Sequence, residues 1–260
     1  MPLIATAFGQ VDVEQEGQGR DLVLLHSLLT DRGAYDLVRG PLARRHRLTL
    51  INLPGYGQSA PGGTSVEDYA DRVAATVTAL QLPRETDVLG NGLGGFVAIA
   101  LALRHGALFD RLVVVDALAG FPEPGKAPLR GLAQAVQEAG MQAALDPAIR
   151  RMFNPPYIER HPKVVEERKQ VLMRMNAETF SKLCLALTHV EFAPRLASIR
   201  NPTLVMVGAQ DQTTAPPLVR ELADGIPGAR YLEIAESGHC PQFEQPTAFI
   251  TAPEGFLAEG

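Results

Sequence analysis

The chain has 260 residues, 46% of them hydrophobic and 20% charged, enough to bury one large core as a single domain with an insertion. Twenty-four Lys and Arg stand against 29 Asp and Glu, a formal net charge of −5; with no long basic run, this argues against nucleic acid or an anionic membrane surface and leaves a small molecule as the expected partner. No apolar run approaches the roughly 18 residues of a membrane span, MPLIATAFGQ lacks the basic start and apolar centre of an export signal, and Cys184 and Cys240 have no metal-site or disulfide-scaffold spacing, so a reducing, cytoplasmic setting is expected.

Along the chain, short apolar runs predict strands over Val11–Gln15, Leu22–His26 and Leu48–Leu53, then a helix over Val66–Leu80. A strand over Thr86–Gly90 runs into a helix over Leu93–Arg104, and a further strand covers Leu112–Asp116. The alternation then stops. Residues 120–195 hold no convincing strand and give helical patterns over Leu129–Ala139, Pro147–Phe153, Lys163–Met175 and Ala177–Thr188. After it come a strand over Thr203–Gly208, a helix over Pro217–Gly225, a strand over Tyr231–Ile234 and a last helix over Gln245–Leu257, which Pro253 interrupts.

This order predicts an α/β fold, a mostly parallel sheet with helices on both faces, with a core from 1–119 and 196–260 and a helical cap from 120–195. The cap region carries 11 Lys and Arg against 8 Asp and Glu. Such an excess is either a solvated mixed-charge face or a field that favours an anionic substrate.

Five segments resemble the α/β-hydrolase superfamily in the right order. LVLLHS (22–27) is similar to the strand leading into the oxyanion loop, INLPGYGQS (51–59) to the family's "DLPGHGxS" segment, and DVLGNGLGGFVAIALALRHG (87–106) to the nucleophile elbow and its helix. NPTLVMVGAQD (201–211) is similar to the strand that ends at the catalytic acid, and ESGHCPQFEQPTAF (236–249) to the histidine loop. The start HSLLTDRGAYD and the helical insertion resemble the enol-lactone-hydrolase branch. The resemblance implies a pocket and a default reaction of ester, lactone or amide hydrolysis; no cofactor is expected.

The residues support two parts of that site directly. Asp211 follows a strongly apolar strand and should stand at the carboxyl end of the sheet, and His239 sits in a loop after the last strand. An Asp bonded to one imidazole nitrogen leaves the other free as a base. Asp116 is a rival acid, read rather as a loop-capping carboxylate, and no histidine pair has metal-site surroundings.

The third part is missing. The elbow motif Gly-x-Ser-x-Gly keeps Gly90 and Gly94 but has Gly92 at the nucleophile position, which excludes an acyl-enzyme there. The turn demands a backbone that glycine adopts at little cost. The amides of Leu93 and Leu28 can still form an oxyanion hole. Ser27 and Asn91 are candidate pocket residues; Ser27 either faces the pocket or bonds its own turn, the second being the ordinary behaviour of a short hydroxyl, and Asn91 reads as a loop brace. Three readings stay open: an enzyme in which His239 activates water or moves a substrate proton, a hydrolase whose serine was deliberately replaced, and a binding protein descended from a hydrolase.

Overall fold

The computed structural model describes residues 3–259. Eight strands form one sheet: β1 (Leu3–Thr6), β2 (Gly9–Gly17), β3 (Arg20–Leu25), β4 (His46–Ile51), β5 (Asp87–Asn91), β6 (Leu112–Val115), β7 (Thr203–Gly208) and β8 (Arg230–Ile234). Their spatial order is β1-β2-β4-β3-β5-β6-β7-β8. β2 runs antiparallel to both neighbours, and all pairs from β4 to β8 are parallel. The parallel strands β5, β6 and β7 are buried along their whole length, the pattern of strands covered on both faces, which is why they read as continuous apolar runs.

The covering helices are α1 (Asp36–Ala43), α2 (Val66–Ala79) and α3 (Leu93–His105) before the insertion, and α4 (Glu123–Ala139), α5 (Leu145–Met152), α6 (Pro155–Arg160), α7 (Pro162–Met173) and α8 (Ala177–Leu187) within it. After it come α9 (Pro216–Gly225), α10 (Pro241–Glu244) and α11 (Pro246–Leu257). Helix α2 starts at a reciprocal cap between Ser65 and Asp68, which satisfies amides that an unpartnered helix start leaves open. Helix α3 is apolar all round, with ten consecutive residues from Leu93 to Ala102 buried, so it lies in the middle of the molecule rather than on its surface. Small residues make that position possible. A Cβ on Gly90 would collide with the Gly94 carbonyl, and one on Gly94 with the Leu25 carbonyl.

Four departures from the sequence expectation have physical causes. Strand β1 was not anticipated because its four residues alternate between exposed and half-buried and pair only with β2. Helix α1 was missed because Gly40 and Pro41 read as breakers, yet Pro41 lies inside the helix. Helix α4 begins six residues before Leu129, with Pro124 in its first turn and Pro128 inside it. Pro253 does not end α11: Phe249, Pro253, Phe256 and Leu257 are all buried, and burial of that apolar face outweighs one lost helical hydrogen bond. Between β6 and β7 the chain is helical and contains no strand among the described residues.

Candidate active site

The turn from β5 into α3 sets the geometry. Gly92 has φ 55° and ψ −120°, a backbone that residues with a Cβ adopt only under strain, and its amide donates to the Val115 carbonyl at 2.9 Å. Gly94 N donates to the His26 carbonyl at 3.0 Å, which ties the elbow to the loop after β3. Leu93 opens the helix, so its amide has no intrahelical acceptor. Among the described residues neither the Leu93 nor the Leu28 amide donates to the protein, and both residues border one narrow cavity together with Gly92, Ser27 and His239. Its free volume of about 30 Å³ suits a water molecule rather than a substrate, so a substrate must part the side chains that close it.

The structure brings Asp211 and His239 together. His239 Nδ1 lies 2.8 Å from Asp211 Oδ2, and Asp211 also accepts from the amides of Thr213 (2.7 Å) and Thr214 (3.2 Å) and from the Thr214 hydroxyl. Burial pushes the Asp211 carboxyl up, but the adjoining His239 and these donors outweigh it and hold it below the usual carboxylate value. The ring is therefore oriented with Nε2 toward the elbow, 3.0 Å from the point where a Cβ on Gly92 would stand.

Asp116 occupies the next place inward. It is fully buried with φ 52°, and it accepts from the Gly208 amide at 2.9 Å and from Asn91 Nδ2 at 3.0 Å. Burial and the negative charge of Asp211 push its carboxyl well above the usual value. Asp116, Asp211 and His239 offer ligand atoms within 4.8 Å of one another, but protein donors already fill these oxygens, so the cluster is a hydrogen-bonded network suited to holding protons.

Of the two candidate pocket residues, one meets the cavity and one does not. Asn91 is fully buried beneath the elbow, where its Nδ2 also donates to the His239 carbonyl at 3.1 Å and its Oδ1 accepts from Gln242. It braces the loops and lines no part of the cavity. Ser27 does line it, and the expectation that its hydroxyl bonds its own turn is not met. The Ser27 carbonyl takes Thr30 N and Thr30 Oγ1, both at 3.2 Å, while the hydroxyl has no hydrogen-bond partner among the described residues. His26 fixes this loop: Nδ1 donates to the Ser27 carbonyl at 2.9 Å and Nε2 accepts from Leu53 N at 3.0 Å. Burial lowers its pKa to about 4, so it stays neutral at physiological pH. Cys240 is fully buried, and burial with the nearby carboxylates raises its thiol well above the usual value, so it is no nucleophile.

Four contributing residues were not singled out from the sequence. Thr213 and Thr214 hold the acid; hydroxyl residues two and three places after an Asp at a strand end are the signal that could have found them. Arg151, from the insertion, borders the elbow cavity and a neighbouring cavity of about 160 Å³ that shares His239 with it. Its guanidinium makes no ion pair or hydrogen bond among the described residues, and burial lowers its pKa, although an Arg stays charged. Glu244 accepts from Asn154 N at 2.8 Å and from the Gly238 amide at 2.6 Å, joining the insertion to the histidine loop.

Residues 22–252 match the model of the alpha/beta hydrolase family. The chain is similar to 3-oxoadipate enol-lactonase 2 of Acinetobacter baylyi, 31% identical over 96% of this chain and 91% of that one. It is also similar to the pimeloyl-[acyl-carrier protein] methyl ester esterase of Aeromonas hydrophila, 30% identical over 95% and 99%. The crystal structure of the enol-lactonase from Burkholderia xenovorans superposes with a TM-score of 0.91 at 27% identity, covering 99% of this chain and all of that one. With the elbow, the acid strand and the histidine loop in their places, the chain belongs to the alpha/beta hydrolase family.

Proposed function

We propose that the protein hydrolyses a small ester or lactone that carries a free carboxylate. The observation that carries this reading is His239, held by Asp211 at 2.8 Å with its other nitrogen directed at the elbow, beside two backbone amides that have no acceptor among the described residues. A carbonyl placed in the cavity has donors for a developing oxyanion in Leu93 and Leu28, and a base in His239. Because residue 92 has no side chain, His239 takes its proton from a hydroxyl supplied by water or by a neighbouring side chain. That similar proteins act on an enol-lactone and on a methyl ester supports the substrate class.

Arg151 supports the negative charge. A half-buried guanidinium facing the site without a carboxylate partner is costly unless a ligand supplies one, and it belongs to a helical cap with an excess of basic residues. Both cysteines are free and buried, which fits a cytoplasmic setting, and no helix among the described residues is long and apolar enough to cross a membrane.

The test is a matched set of lactones and methyl esters with and without a distal carboxylate, measured with the wild type and Arg151→Ala. For the carboxylate substrates, kcat/KM should fall about 10- to 100-fold in the variant, the loss expected for one charge-assisted hydrogen bond, while the neutral analogues change little. Wild-type protein that binds the carboxylate compounds by calorimetry but turns none of them over would favour a binding protein.

A further inference from the structure

We propose that the nucleophile of this site is Ser27, its hydroxyl standing in the space that a side chain at residue 92 would fill. The inference rests on the hydrolase reading above and names the group that reading leaves open. A Cβ built on Gly92 would overlap Ser27 Oγ and would lie 3.0 Å from His239 Nε2. The hydroxyl and the base thus flank one vacated position. Ser27 Oγ has no hydrogen-bond partner among the described residues and borders the cavity that it shares with His239, whose Nε2 lies across the vacated position as the acceptor its proton would reach.

The backbone around Ser27 suits the task. Its carbonyl is pinned by His26 and by Thr30, so the loop is fixed while the hydroxyl remains free. The Leu28 amide follows Ser27 directly in the chain and has no acceptor among the described residues, the same relation that Leu93 bears to residue 92. This loop therefore carries what the elbow lacks at Gly92, a hydroxyl followed directly in the chain by an oxyanion donor. Cys240 and Asn91, the other nearby candidates, are excluded by burial and by their hydrogen bonds.

In the first half-reaction the Ser27 hydroxyl gives its proton to His239 Nε2 as its oxygen bonds to the substrate carbonyl carbon. The carbonyl oxygen becomes an oxyanion held by the Leu28 and Leu93 amides. Collapse breaks the bond to the alcohol or enol oxygen, which takes the proton from Nε2, leaving an acyl group on Ser27. Water then gives a proton to His239 and its hydroxyl to the acyl carbon, and the Ser27 oxygen leaves with that proton. The net change is ester or lactone plus water to acid plus alcohol or enol.

The experiment treats the purified full chain with a fluorophosphonate and, separately, with an activated ester, and maps adducts by peptide mass spectrometry. An adduct on Ser27, absent in Ser27→Ala and His239→Ala, is the expected result. Ser27→Ala should also lose about 10³-fold or more in kcat, the scale for deletion of a serine nucleophile, with its melting temperature little changed. Ser27→Cys should be alkylated by iodoacetamide ahead of Cys184 and Cys240, both buried with raised thiol values. Steady hydrolysis with no Ser27 adduct and unchanged turnover in Ser27→Ala would overturn the proposal in favour of water while leaving the hydrolase reading intact. Neither hydrolysis nor labelling by the wild type would overturn both.

Discussion

The two halves of the site are built to different degrees of completion. On the acid side, Asp211 is held by two amides, a hydroxyl and an imidazole, and Asp116 behind it is bonded to Gly208 and Asn91. On the elbow side, Gly92 has no side chain, and among the described residues the Leu28 and Leu93 amides have no acceptors and the Ser27 hydroxyl has no partner. A buried polar group that stays unpaired costs free energy, so the first half resembles a support and the second a place prepared for a ligand. On the proposed reading, glycine at residue 92 leaves the orienting groups in order and changes only the origin of the attacking oxygen.

Replacing the acid should produce the largest effect that this contrast predicts. Asp211→Asn leaves the shape intact but turns His239 to the wrong tautomer, so kcat should fall about 10⁴-fold on a carboxylate-bearing lactone, with circular dichroism unchanged. A fall of only a fewfold would mean that the well-bonded half is structural and that the chemistry lies elsewhere.

Next in size is Gly92→Ala, which loads the open half. Its Cβ must displace Ser27 Oγ and accept a positive φ, at a cost of about 1–3 kcal/mol in stability. Denaturation should register that loss, and turnover should fall at least about 10-fold by the transition-state relation for a displaced catalytic group. An active Gly92→Ala would show that the position of the Ser27 hydroxyl is irrelevant.

The smallest effect is expected at Asp116. Its folded carboxyl is raised well above the ordinary value of 3.8, so the folded state binds the proton more tightly than the unfolded one. Its ionisation therefore removes stability as pH rises from 3.8 through the raised folded value. Asp116→Asn should remove that dependence and remain active. Asp211 has the opposite sign: its lowered carboxyl contributes stability that is complete above 3.8 and lost as pH falls through the folded value. Urea denaturation of both variants across pH distinguishes the two acids.

Much of this contrast was legible in the sequence, and the remainder was not for identifiable reasons. The buried parallel strands and α3 are continuous apolar runs bounded by glycines, and the positions of Asp211 and His239 follow from the strands that precede them. β1 and α1 were hidden because pairing and packing override their weak local signals, as they do at Pro41 and Pro253. The direction of the Ser27 hydroxyl could not be read because a turn-forming serine and a pocket serine have the same sequence; what separates them is that Thr30 donates to the Ser27 carbonyl and not to its hydroxyl. Arg151 was equally obscure, since its helix reaches the site only through the fold.

The most direct test is single-turnover hydrolysis of a small carboxylate-bearing lactone by the wild type and by His239→Ala, followed from pH 5 to 9. If His239 is the base, His239→Ala should be at least about 10⁴-fold slower than the wild type across that range. Equal rates in the two proteins would contradict a hydrolase driven by the Asp211–His239 pair.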